Sequence, residues 1–190
     1  QIQTRARGLL FPTDPAAVTA EWLTEVLRTA GALDGTVATI EWRPIGTGQV
    51  GDSARFTLAY DPPGAGPATL AGKFAAADPT SRATALTHGL YAKEVAFYRE
   101  LAPDLAIRTP RAYAAEVSDD GSAFVLLFED LGPARQGDQL GGCSLADARE
   151  AVRQLAGLHA PAHEYSHALG CSVVRGFGYR ATEEPDAGDL

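Results

Sequence analysis

The stretch Gly46-Thr47-Gly48-Gln49-Val50-Gly51-Asp52-Ser53 constrains this chain more than any other. Its three glycines stand at G-x-G-x-x-G spacing, which lets backbone approach a phosphate with no side chain in between. Taken alone, the same cluster reads equally as a plain hairpin turn, so its flanks decide. Upstream, Val37, Thr39, Ile40 and Trp42 favour a strand over 36–45. Downstream, Arg55-Phe56-Thr57-Leu58-Ala59-Tyr60 alternates with period two, which predicts a second strand. The glycines are therefore expected at the tip of a β-hairpin. A dinucleotide-binding fold would place them between a strand and a helix. A Walker-type loop would end in Gly-Lys-Ser/Thr, which is absent here.

Around that hairpin the chain alternates further elements. Asp14 as N-cap, Pro15 at the first helical position and Val18, Trp22, Leu23, Val26 and Leu27 at helical spacing predict a helix over 15–30, stopped by Gly31. Asp61-Pro62-Pro63-Gly64-Ala65-Gly66-Pro67 is expected to be loop. A third strand is expected over 69–75, with Leu70 and Phe74 on one face and Lys73 on the other. Residues 82–101 are predicted to form one helix whose stripe holds Leu90, Tyr91, Glu94, Val95, Tyr98 and Leu101. Strands over 112–117 and 123–128 are joined by the turn Ser118-Asp119-Asp120-Gly121. Ser144-Leu145-Ala146-Asp147 opens a helix with Leu145, Val152, Leu155 and Leu158 on its apolar side. The tail over 161–190 is expected to be poorly ordered.

Composition narrows the function classes. With 190 residues and 45% hydrophobic content the chain can build a core of ordinary size. Its net charge of −8 and lack of a Lys/Arg cluster argue against a nucleic-acid surface or an anionic membrane as partner. A nucleotide ligand stays open, because a phosphate site needs local donors rather than global charge. No apolar run reaches the roughly 18–20 residues of a membrane span, and no secretory leader is evident, so a cytoplasmic protein is expected. The 2 cysteines, Cys143 and Cys171, make no disulfide framework. The chain starts at Gln1 and has 0 methionines, so residues are expected to be missing at its front.

Lys73 and Glu94 give the glycines a chemical context. A carboxylate on an apolar helix stripe needs a partner, because burying it alone is costly. Lys73, on the strand after the hairpin, is the candidate. In protein kinases a glycine-rich hairpin covers the ATP phosphates while a strand lysine, held by a helix glutamate, binds them. The apolar strand running into Glu129-Asp130-Leu131 adds an edge that can offer the Glu129 carbonyl and the Leu131 N–H to an adenine ring. Bland readings stand beside these: a solvated strand lysine for Lys73, a surface acid for Glu94, and solvated acids at Glu129 and Asp130. Asp52 and Ser53 fit phosphate or metal contact and hairpin capping equally. His163-x-x-x-His167-x-x-x-Cys171 has metal-ligand spacing on one helical face, without other support.

The order of hairpin, glycine tip, lysine strand, glutamate helix, two strands and polar hinge resembles the N-terminal lobe of the protein-kinase-like fold. The local wording is similar to the aminoglycoside phosphotransferase and ecdysteroid-kinase-like (choline-kinase-like) superfamily of small-molecule kinases. The residues that carry this are Ala20-Glu21-Trp22-Leu23-Thr24-Glu25-Val26-Leu27, Leu126-Leu127-Phe128-Glu129-Asp130-Leu131, Gly137-Asp138-Gln139 and Gln154-Leu155-Ala156-Gly157-Leu158-His159-Ala160. The resemblance covers about 15–160. It implies an α+β fold: a five-stranded antiparallel sheet with a Glu-bearing helix and a preceding N-terminal helix over 1–128, a hinge and linker over 129–143, and the first helix of a second lobe over 144–160. It implies ATP as nucleotide, transfer of the γ-phosphate to a hydroxyl acceptor, and a nucleotide site of Gly46, Thr47, Gly48, Gln49, Val50, Gly51, Ser53, Lys73, Glu94, Glu129 and Leu131. The family also carries a His-Gly-Asp type catalytic loop. None of His88, His159, His163 or His167 is followed two residues later by Asp. The catalytic base and Mg²⁺ ligands are thus expected from sequence other than these residues, and the alternative is a degenerate nucleotide-binding module without catalysis. A lobe standing alone would leave apolar surface uncovered, which implies self-association.

Overall fold

The computed structural model describes residues 11–46, 50–134 and 140–159. The fold is α+β. Five strands form one antiparallel sheet in the order β1-β2-β3-β5-β4: β1 Thr36–Ile45, β2 Gly51–Asp61, β3 Thr69–Ala75, β4 Ala112–Val117 and β5 Phe124–Glu129. Four α-helices accompany it among the described residues: α1 Ala20–Thr29, α2 Pro79–Thr87, α3 Leu90–Ala96 and α4 Leu145–His159.

Strand alternation sorts the core onto two faces. Leu58, Phe56, Leu70, Phe74, Val125 and Leu127 pack with Leu23 and Leu27 of α1 on one face. Ala75, Phe124 and Leu126 pack with Ala85 of α2 and Tyr91 and Val95 of α3 on the other. Both faces of β5 are therefore covered, and Phe124, Val125, Leu126 and Leu127 are all 0% exposed. This explains why β5 is a continuous apolar run while β2 alternates.

The structure revises several boundaries. Asp14 does cap, accepting hydrogen bonds from the N–H groups of Ala16 and Ala17, but it opens only a 3₁₀ turn over Pro15–Ala17. Val18 is extended, with ψ 124°, and Thr19 is the true N-cap of α1, its hydroxyl accepting from the Trp22 N–H. The single helix expected over 82–101 is divided. Gly89 adopts φ +60°, a left-handed conformation that only glycine takes readily, and it separates α2 from α3. A π-helical turn over Phe97–Leu101 and a 3₁₀ turn over Ala102–Asp104 follow. The turn before β5 forms as read: Asp120 accepts from the Ser118 hydroxyl at 2.7 Å and the Ser122 N–H at 3.0 Å. Ser144 caps α4 through the Asp147 N–H at 3.1 Å. The expected apolar side of α4 is not uniformly buried, because Leu145 and Val152 are each 66% exposed. At Gly157 α4 comes so near the 106–107 segment that a Cβ would stand 2.5 Å from the Ala106 carbonyl oxygen. The tail over 161–190, with His163, His167 and Cys171, lies outside the described residues.

Candidate functional site

Register places the candidate residues in rows on one face of the sheet. Ile45 pairs with Ser53, Ser53 with Lys73, and Lys73 with Leu126. Along the strands, Arg55 pairs with Ala71 and Ala71 with Phe128. Ser53, Arg55, Ala71 and Lys73 thus share the face that α3 covers in part, and all four are half-buried.

On that face Lys73 Nζ lies 2.7 Å from both carboxylate oxygens of Glu94. The expected contact is made because Glu94 sits one turn beyond Leu90 and Tyr91 on the buried stripe of α3. A bidentate carboxylate takes two of the three ammonium donors and leaves the third to face an oxyanion. Tyr98, in the following π turn, packs on Phe128 with ring centroids 4.6 Å apart. Burial, reinforced by the Glu94 charge, pushes its phenol up to about 12.

The glycine hairpin frames this pair. Gly46 takes φ +71°, a conformation that favours glycine, as the chain leaves β1. Gly51 begins β2 beside Lys73. Tyr91 of α3 anchors the return: its hydroxyl donates to the Val50 carbonyl at 2.7 Å and accepts from the Ala76 N–H at 3.1 Å. Thr47, Gly48 and Gln49 lie outside the described residues. Asp52 accepts from the Ala77 N–H at 2.7 Å, a contact to the segment after β3 and not to the hairpin tip.

At the end of β5, Glu129 donates its N–H to the Arg111 carbonyl at 2.9 Å, and its carboxylate accepts from the Arg111 N–H at 3.0 Å and from Arg108 at 2.9 Å. The Arg111 N–H leads these interactions, which hold the Glu129 carboxyl below its ordinary range. Glu129 therefore has a structural side chain, and neither carboxylate of this segment is simply solvated. The Leu131 N–H has no hydrogen-bond partner among the described residues.

Two members of this neighbourhood were not singled out as site residues from the sequence. Arg55 pairs with Asp130: Nη2 donates to Oδ1 at 2.9 Å, and Nε lies 2.7 Å from Oδ2 without hydrogen-bond geometry, so that it is a buried donor with no hydrogen-bond partner among the described residues. Burial pushes the Asp130 carboxyl up, but the Gly132 N–H, Arg55 and Thr69 outweigh it and hold the group low. Period two does place Arg55 on the face of Ser53 and Lys73, but nothing in the spacing announces a partner so far along the chain. Among the described residues, no group of three or more His, Cys, Asp or Glu side chains could hold a metal ion. Among them too, no helix is long and apolar enough to cross a membrane. No protein-family profile matches the chain. No curated protein matches it either.

Proposed function

We propose that this chain is the nucleotide-binding lobe of an ATP-dependent small-molecule phosphotransferase, similar to the aminoglycoside phosphotransferase and choline-kinase-like superfamily. The observation that carries the reading is the Lys73–Glu94 pair, 2.7 Å at both carboxylate oxygens, lying beside the Gly51 end of a glycine hairpin. Glu94 fixes the ammonium, and the ammonium receives the α- and β-phosphates. Gly46 and Gly51, at the two ends of the hairpin tip, would bring backbone N–H groups to the phosphates. Ala71, with only a methyl on the same face, leaves room for the base, and the Leu131 N–H is its donor at the hinge. The γ-phosphoryl group would pass to a hydroxyl of a small molecule.

The described residues do not fit a Mg²⁺ site, so no role here is routed through one. A second reading is a nucleotide-binding module without chemistry. Both readings require the same site. Titration of this chain and its Lys73→Ala variant with ATP tests it, the variant being expected to bind at least about tenfold more weakly. Equal affinity would remove the role given to Lys73. Turnover of ATP with a hydroxyl acceptor would separate the first reading from the second.

A further inference from the structure

We propose that Arg55 is a positioning residue for base recognition. Through Asp130 it fixes the backbone of Glu129, Asp130 and Leu131 against the sheet, so that this segment can receive the flat base of a nucleotide. The inference rests on the nucleotide reading above.

Arg55 leaves β2 on the face of Lys73, since Arg55 pairs with Ala71 and Ser53 with Lys73. Its guanidinium meets Asp130 through one hydrogen bond, Nη2 to Oδ1 at 2.9 Å, with Nε 2.7 Å from Oδ2 but outside hydrogen-bond geometry. A charge-assisted hydrogen bond of this kind, reinforced by the close second nitrogen, holds the carboxylate in place. The Asp130 side chain is only 9% exposed. It also accepts the Gly132 N–H at 3.0 Å. One carboxylate thereby joins β2 to the turn that leaves β5. The fit is close: a Cβ on Gly132 would stand 3.2 Å from Arg55 Nη2 and 3.4 Å from Asp130 Oδ1.

Inside this tied segment the Leu131 N–H is left without a partner among the described residues. Irregular backbone tied to β2 and to its own turn, with a spare donor, is preorganised for a planar ligand. The Arg55 row lies two residues along the sheet from the Lys73 row, about 7 Å at the usual strand rise. The strip therefore has two ends: Lys73 for phosphate, and the segment locked by Arg55 for the base.

An ion pair can also serve stability alone, so the readout must separate base from phosphate. The full 190-residue chain, with Arg55→Gln, Asp130→Asn and the exchanged R55D/D130R, is titrated with ATP and with inorganic tripolyphosphate. Circular dichroism melts check that each variant is folded. Arg55→Gln and Asp130→Asn are expected to weaken ATP about tenfold and tripolyphosphate by less than about twofold, and the exchanged pair to recover part of the loss. Lys73→Ala weakens both ligands. Where a Gln variant does not fold, Arg55→Lys, which keeps the charge and loses the planar guanidinium, is read by the same criterion. An unchanged preference for ATP over tripolyphosphate in a folded Arg55 variant overturns the positioning role and leaves the nucleotide reading standing. Failure of the unaltered chain to bind either ligand overturns both.

Discussion

Gly51 on β2 and Lys73 on β3 lie so close that a Cβ on Gly51 would stand 3.2 Å from Lys73 Cε. The same Cβ would be 3.0 Å from the Phe74 carbonyl oxygen. Gly51 pairs in register with Ala75, which makes it the diagonal neighbour of Lys73 on one face. The missing side chain at 51 therefore gives the lysine stem its path to Glu94. The last glycine of the hairpin acts through space rather than through backbone conformation.

Substitution at Gly51 should accordingly act on the lysine. Gly51→Ala asks the Cε end of a flexible side chain to move by a few tenths of an ångström. Gly51→Val adds two further methyl carbons against the same stem and the fixed Phe74 carbonyl. We expect Val to weaken ATP binding more than Ala, and at the overpacking cost of about 1–3 kcal/mol in stability. Calorimetric titration beside a thermal melt checks both numbers. A Val variant that binds ATP as tightly as the unaltered chain would show that the path of the stem does not matter.

The Lys73–Glu94 pair should contribute little to folding. Its side chains are 29% and 24% exposed, so water screens the interaction, and such pairs are worth about 0–1 kcal/mol. Glu94→Gln keeps the shape of the side chain but removes its charge and replaces one acceptor oxygen by an NH₂ donor. It should lower Tm by no more than about 4 °C in a domain of this size, while weakening ATP binding severalfold as Lys73 loses its anchor. A loss above about 3 kcal/mol would instead mark a pair that behaves as fully buried.

Alkaline pH should destabilise the fold through its tyrosines. Burial first, and then the neighbouring charge of Glu94 for Tyr98 and the Tyr113 phenol for Tyr60, push both groups up to about 12 from 10.0. A folded-state pKa above the unfolded one gives stability that is complete below the unfolded value and is lost as pH rises through the folded one. Tm should therefore hold to about pH 10 and fall between about 10 and 12. Tyr98→Phe should shallow that fall, and an identical slope in the variant would assign the transition elsewhere.

Legibility in the sequence followed the range of the interaction. Lys73 and Glu94 could be paired because period two on a strand and the i, i+3, i+4 stripe on a helix each fix a face. The joint between α2 and α3 was missed because one glycine inside a helical pattern is usually tolerated, and only the left-handed φ at Gly89 turns it into a break. The start of α1 was misplaced because Asp14-Pro15 is a sound cap that the extended Val18 cuts short, leaving Thr19 to begin again. The Arg55–Asp130 pair spans β2 to the hinge, and no local spacing encodes it. Tyr91 was legible as apolar, but its hydroxyl bonds to Val50 and Ala76 depend on three separated segments meeting.

Gly72 offers a control that separates fold from site. A Cβ there would stand 2.7 Å from Phe56 Cε2 and 3.0 Å from Phe74 Cε2. These two rings meet edge to face at 6.3 Å and are both 0% exposed, so neither can move aside into solvent. Gly72→Ala should cost about 1–3 kcal/mol through overpacking, read as a Tm lower by about 2–12 °C. Alternation puts the new methyl on the face opposite Lys73. ATP affinity measured well below the transition should then stay within about twofold of the unaltered chain. Adding Phe56→Leu should recover part of the stability, because the shorter side chain makes room for the methyl. If Gly72→Ala weakened ATP as much as Lys73→Ala does, the strain would be passing through β3 to the lysine, and the two faces of the sheet would not be independent.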